Sequence, residues 1–231
     1  IIKSVLHNFD PMDLEIIKQD WQTIIDKIKA GEAHNISEGD TMYLAACTKG
    51  ANAKSIRKQP FSNIPAKQRA FSLKSSYMSA FARRVIDRQL IPSLFNVDEL
   101  KSKTTLQLLQ ERFAPYIGKR VSEIAKLVDI PVTKNKAFNA NLISAVLGVK
   151  GTKLESLREF SKANIKFKTI RLEPTGIPKE HMSFEQIDFH RWVNDAWEDS
   201  QLYEKFEYTK YLFVVFQYDE TEKENKNREP Y

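Results

Sequence analysis

Leu14, Ile17, Trp21, Ile24 and Ile28 recur at alternating spacings of three and four residues, which predicts one apolar face of a long amphipathic helix. Asp10-Pro11 supplies its start: Asp10 can cap free amides, Pro11 suits a first helical position, and Asp13 adds favourable charge there. Gly31 is a natural stop. Turn chemistry at Ser37-Glu38-Gly39-Asp40 precedes an apolar strand at 41–47. Residues 48–68, with Pro60 and Pro65, read as a polar, basic connection, and loops of this length are often functional. A short strand is expected at 70–74. A helix capped by Ser75 follows, with Tyr77, Phe81 and Val85 on one face and Arg84 and Arg88 on another.

The pattern then pauses. Residues 91–103, with Pro92, read as a linker. Beyond it, helices are expected at 105–113, 121–128, 140–147, 154–163 and 192–203, and strands at 165–170, 182–189 and 211–218. A weak alternation at 1–6 suggests one more strand. The class is α/β or α+β: residues 1–95 form one unit, 96–104 a linker, 105–218 a second unit and 219–231 a charged tail or truncation.

Charge sharpens this picture. Nine cations lie between Lys49 and Arg84, with no Asp or Glu among them, although the whole chain carries a net charge of only +6. Such a stretch suits a phosphate backbone, where each neutralised phosphate releases counterions. Asn52 and Ser72 are interleaved with the cations and can bond base edges or sugars. A solvated basic face is the competing reading. No apolar run reaches the length of a membrane helix, so no membrane partner is expected. The lone Cys47 excludes an internal disulfide and a cysteine-rich zinc site and fits a reducing, cytoplasmic setting. Ile1 in place of Met reads as a cut.

Catalytic patterns are weak. His7, His34, His181 and His190 show no zinc-ligand spacing, and no Walker loop, nucleophile elbow or dinucleotide fingerprint is present. Metal-dependent nucleases often place an acid some residues before an acid-x-Lys strand, where alternation puts the second acid and the Lys on one face. The matching run here is Glu159, then Lys166-Phe167-Lys168, and an ammonium at 166 repels a divalent cation. Glu155, Glu159 and Asp188 stay open as unrecognised ligands of an active nuclease.

With those residues in view, the chain resembles the MutH-like GATC-specific endonucleases, especially the two-domain Sau-type restriction enzymes. The first block of resemblance runs from about Leu14 to Arg84. It rests on Gln19-Asp20-Trp21, on the run from Tyr43 to Lys54, and on Arg69-Ala70-Phe71-Ser72-Leu73-Lys74-Ser75-Ser76-Tyr77-Met78. It looks like the carboxyl-terminal, DNA-reading half of a MutH-like domain. The second block, from about Thr105 to Tyr218, looks like the amino-terminal half of another. There the helix Leu142-Ile143-Ser144-Ala145-Val146-Leu147-Gly148 has Ser144 at the family's first acid, Glu159 replaces an Asp, Lys166 replaces a Glu, and Lys168 keeps the family residue.

The resemblance implies a restriction-endonuclease-like mixed sheet with flanking helices, present as two partial halves. It implies double-stranded DNA as partner, a homodimer on DNA, and a parent enzyme that is a Mg2+-dependent type II deoxyribonuclease. In this chain it implies no intact catalytic set, Ser144, Glu159, Lys166 and Lys168 being its remnant, and no metal. For DNA contact it points to Lys49, Asn52 and Lys54 in the reading loop and to Ser72 and Lys74 on the next strand, to which the basic run adds Arg57, Lys58, Lys67, Arg69 and Arg84. Cys47-Thr48 stands where the family has Arg-Pro. Two complementary halves could also dock as one permuted fold, whereas separate, incompletely covered sheets would exclude it. A non-cleaving DNA- or RNA-binding module of the same fold is the alternative.

Overall fold

The structure is a computed structural model that describes residues 9–49, 55–87, 91–133, 135, 137–184, 186–187, 190, 193, 196–197, 200–221, 224–225 and 229–230. The strand expected at 1–6, His7, Arg88 and Asp188 lie outside these residues.

Helix α1 (Pro11–Lys29) starts as expected, with the Asp10 carboxylate accepting from the Asp13 amide at 3.0 Å. Its buried face is rotated from the expected one, keeping Ile24 buried and Ile17 and Ile28 partly buried against the apolar clusters. The buried positions are Asp13, Ile16, Asp20 and Ile24, while Leu14 and Trp21 are about half exposed. Apolar spacing misplaces the face because it counts a carboxylate as polar, whereas a carboxylate whose acceptors are all engaged can sit in a core. Asp20 is such a case, accepting from the backbone amides of Met42, Tyr43 and Leu44 at 2.7, 2.6 and 2.8 Å. It ties α1 to the strand that follows.

That strand, β1 (Leu44–Thr48), pairs antiparallel with β4 (Arg69–Leu73), from Leu44 opposite Leu73 to Thr48 opposite Arg69. Nested between them is a second hairpin, β2 (Ile56–Gln59) and β3 (Ser62–Lys67), turning at Pro60-Phe61. The segment expected as a connection therefore carries a β-ribbon. Its strands are short and mostly exposed, so alternation leaves no trace, and Pro65 lies in a strand of a two-stranded sheet, where Pro is tolerated. Helix α2 (Ser75–Asp87) follows, with Tyr77 and Ala80 buried.

The linker expected at 96–104 holds helix α3 (Val97–Ser102), closed by a reciprocal cap between Asn96 and Glu99, with Leu100 fully buried. Helices α4 (Thr105–Phe113), α5 (Val121–Leu127) and α6 (Phe138–Val146) match their expected positions. The helix expected at 154–163 is broken into a 3-10 turn, Leu154–Ser156, and a short α7 (Arg158–Lys162). Strand β5 (Ile165–Leu172) runs parallel to β6 (Lys210–Gln217), and α8 (Gln201–Tyr208) precedes β6. Residues 182–184, expected to open a strand, have no regular structure, and of residues 192–199 the structure describes 193, 196 and 197, with Trp197 in a 3-10 turn.

The class is mixed α/β. The described strands form three two-stranded sheets: antiparallel β1-β4 and β2-β3, and parallel β5-β6. No described strand of the first half pairs with one of the second, so among the described residues the halves do not merge into a permuted sheet. They nevertheless share one core. Ile16, Tyr43 and Tyr77 pack in the same apolar cluster as Leu100, Leu142, Leu157, Phe160 and Phe216, with α2 against α7 and α1 against α3. A smaller cluster of Ile24, Ala33, Ile36, Ala46 and Ala66 lies under the β2–β3 ribbon.

Candidate nucleic-acid interface

The two nested hairpins are joined at their base. The Lys49 amide donates to the Gln68 carbonyl at 2.7 Å, and the Gln68 amide donates to the Ser55 carbonyl at 2.9 Å. This joint brings Lys49, at the end of β1, beside Arg69 and near the open end of the ribbon, where Lys67 sits opposite Ile56 and Arg57 opposite Ala66. Lys49, Arg57, Lys58 and Lys67 are exposed. Arg69 is half-buried and donates to the Ala46 carbonyl at 2.6 Å, leaving part of its guanidinium for other partners. Asn52 and Lys54 lie outside the described residues.

The remaining expected contacts are separated from this group. Ser72 is half-buried opposite Ala45. Arg84 is half-buried on α2, next to an exposed Arg83 that sequence reasoning counted without singling it out. Lys74 is only 4% exposed, and its Nζ donates to the Thr41 carbonyl at 2.5 Å. Burial, aided by the nearby Lys210 charge, pulls its pKa down to about 8. A buried ammonium spent on a backbone carbonyl cannot reach a phosphate, so Lys74 leaves the expected DNA-contact set.

The ribbon is fixed from behind. Gln59 accepts from the Ala33 amide at 3.1 Å, donates to the Ile64 carbonyl at 2.6 Å, and stands 3.1 Å from His34 Nδ1. Gly31 has φ of +76°, and a Cβ there would lie 2.6 Å from the Phe61 carbonyl oxygen, so only glycine lets the turn rest on the end of α1. Ile56, Phe61 and Ile64 stay 47%, 62% and 52% exposed. Sequence reasoning missed them because it read this stretch for charge; the short apolar positions among the cations were the available signal.

The positions expected as a catalytic remnant each have partners of their own. Ser144 Oγ donates to the Ala140 and Thr152 carbonyls at 3.0 and 2.9 Å. Glu159 is fully buried and accepts from Ser93 Oγ and, through both oxygens, from the Leu94 amide at 3.2 Å. Lys166 and Lys168 are exposed on one face of β5, opposite Tyr211 and Phe213 of β6, whose rings stack 5.5 Å apart. A hydroxyl spent on carbonyls, a carboxylate engaged elsewhere and two ammonium groups do not fit Mg2+, which takes hard oxygen donors. Among the described residues no three His, Cys, Asp or Glu side chains cluster as a metal site. Glu155 accepts from the Phe167 amide at 3.2 Å, and Asp188 lies outside the described residues.

The best-built ionic group lies between the halves. Asp13 of α1 accepts from Lys162 Nζ of α7 at 2.7 and 2.5 Å and from the Tyr77 hydroxyl at 2.8 Å, and Arg158 reaches it at 2.9 Å. Arg158 also pairs with Asp10. The Lys162 ammonium lies 4.8 and 5.6 Å from the ring centres of Tyr77 and Tyr43. Burial pulls the Lys162 pKa down against the opposing pull of Asp13. Burial also works against the Arg158 charge, but Asp10 and Asp13 outweigh it and hold its pKa above the usual value. Asp13, Lys162 and Tyr77 are each partnered and almost fully withdrawn from water, while Asp10 keeps one side toward solvent, so the group works as a clasp between halves.

Among the described residues no helix is long and apolar enough to cross a membrane. The family model described as the DNA mismatch repair enzyme MutH matches residues 151–230, the part of the chain that contains Glu159, Lys166 and Lys168. The chain is also 40% identical over 235 residues to the type II restriction enzyme Sau3AI of Staphylococcus aureus, an alignment that covers 95% of this chain and 48% of that enzyme. The chain thus spans about half the length of the curated relative it matches. The chain is thus similar to the MutH family model over residues 151–230 and, over nearly all of its own length, to about half of the Sau3AI restriction enzyme.

Proposed function

We propose that this chain is the DNA-binding part of a type II restriction endonuclease that reads GATC, and that it does not cleave DNA by itself. The observation that carries the reading is the exposed group Lys49, Arg57, Lys58 and Lys67 at the base of a fixed β-ribbon, within a 36-residue stretch (49–84) that contains no acid. No carboxylate belongs to this stretch of the sequence, and phosphates would be gripped with release of counterions. Relatedness to Sau3AI and the MutH match support a nuclease setting. The GATC preference rests on the resemblance of the first block. The lack of cleavage rests on the donor chemistry at Ser144, Glu159, Lys166 and Lys168. Mg2+ would belong to the parent enzyme, acting on DNA in the cytoplasm.

The test is a titration of duplex DNA with and without GATC at rising salt, with plasmid cleavage followed in Mg2+. The expected result is binding whose affinity falls steeply with salt, tighter binding to GATC, and intact plasmid. Absent or salt-independent binding overturns the DNA reading. Equal affinity for both duplexes removes the sequence preference, and a linearised plasmid removes the non-cleaving assignment.

A further inference from the structure

We propose that the β2–β3 ribbon enters a groove of duplex DNA and drives the Phe61 side chain against the base stack as an apolar wedge. The inference rests on the DNA-binding reading above and adds a residue that charge does not single out. Phe61 sits at the two-residue turn of the ribbon and is the most exposed of its apolar side chains, at 62%. Ile64 and Ile56 behind it are 52% and 47% exposed. None of the three belongs to either apolar cluster of the fold. An exposed Phe forgoes most of the stabilisation that burial would give, so its place at the tip is not explained by stability.

The surroundings select the occupant. Arg57, Lys58 and Lys67 are exposed on the same ribbon, and Lys49 lies at its base. An apolar protein surface would have to desolvate these cations, whereas a duplex offers phosphates to the cations and bases to the ring. A two-stranded ribbon fits a DNA groove, and apolar side chains that enter it unstack a base step. A wedge also needs support against recoil. The Phe61 backbone lies against Gly31, and the Gln59 side chain locks the turn to Ala33 and to Ile64. The ring projects from a fixed backbone, so little ordering entropy is lost when it meets the bases.

The experiment uses GATC-centred duplexes with 2-aminopurine placed at each position in turn, bound by the full chain, Phe61→Ala, Phe61→Leu and Lys67→Ala. Unstacking raises 2-aminopurine emission. The parent chain should raise emission at one step, Phe61→Ala should lose that rise and bind about tenfold more weakly, and Phe61→Leu should keep most of it. The salt slope of Phe61→Ala should equal that of the parent, while Lys67→Ala should lower the slope and keep the emission rise. Binding with an unchanged emission pattern in Phe61→Ala overturns the wedge and leaves the DNA reading standing. No binding by any form overturns the DNA reading itself. Loss of self-association in Phe61→Ala, read by sedimentation with no change on DNA, assigns the tip to a contact between copies and overturns the wedge. Because the side chain is exposed, all variants should melt with the parent, which separates a failed wedge from a failed fold.

Discussion

The β2–β3 ribbon and the α1–α7 seam are both rich in cations, and they use them in opposite ways. On the ribbon, Arg57, Lys58 and Lys67 stand in solvent with no carboxylate in their stretch of sequence. In the seam, Lys162 and Arg158 are withdrawn from water and matched by Asp13 and Asp10. A charge in solvent costs little and is free for a phosphate; a charge in the core is tolerated only with a partner, and then it fixes the fold. Lys74 shows that the division does not follow sequence position. It lies within the basic run, but the turn from β4 into α2 buries it against the Thr41 carbonyl. A count of cations therefore overstates the binding surface.

The largest expected effect is in the seam. Asp13→Ala strands Lys162 and leaves Arg158 with only Asp10, and should cost on the order of 3–5 kcal/mol, read as a lower urea midpoint. A double variant that also replaces Lys162 by Met should recover part of the loss, because no buried ammonium is then left unpaired. If Asp13→Ala unfolds at the parent's midpoint, the seam does not clasp the halves.

Next in size is the pH response of Lys74. Its folded pKa of about 8 lies below the ordinary 10.5, so between these values the unfolded chain holds a proton that the folded chain has released. This group therefore makes the fold more stable as pH rises through that window, and it weighs against folding below it by a few kcal/mol at most, at about 1.4 kcal/mol per unit. Lys210, whose pKa burial also lowers, adds in the same direction. Lys74→Met should raise stability at neutral pH, flatten the alkaline rise, and leave DNA affinity and its salt slope unchanged. A weakened salt slope would return Lys74 to the binding surface.

The smallest effect is on the ribbon. Lys67→Ala should leave stability unchanged, since surface substitutions usually stay within about 0.5 kcal/mol. It should lower the salt slope of DNA binding by about one unit. An unchanged slope there, together with a changed slope in Lys74→Met, would reverse the comparison between free and buried cations.

Much of the local structure was legible in the chain. Helix α1 with its Asp10 cap, the strands β1, β5 and β6, and helices α4 to α6 follow from apolar spacing and capping residues. Several of the errors share one physical origin. Asp13, Asp20, Lys74, Glu159 and Lys162 are polar residues that became core, and each did so by meeting a partner distant in sequence. Leu100, in the segment expected as a linker, is buried because α1 packs on α3, and a six-residue helix is too short for its spacing to announce it. The ribbon was hidden because cations and prolines outnumber its apolar residues.

By itself the sequence determined the α/β class and the acid-free basic stretch, since these depend only on which residues are present and how they are spaced. Only the tertiary structure decided which cations face water and which face carboxylates, that Phe61 is held outward on a backed ribbon, and that Glu159 anchors Ser93-Leu94. The reason is desolvation: whether a charge binds a ligand or holds the fold depends on what surrounds it, and those neighbours come from segments far apart in the chain.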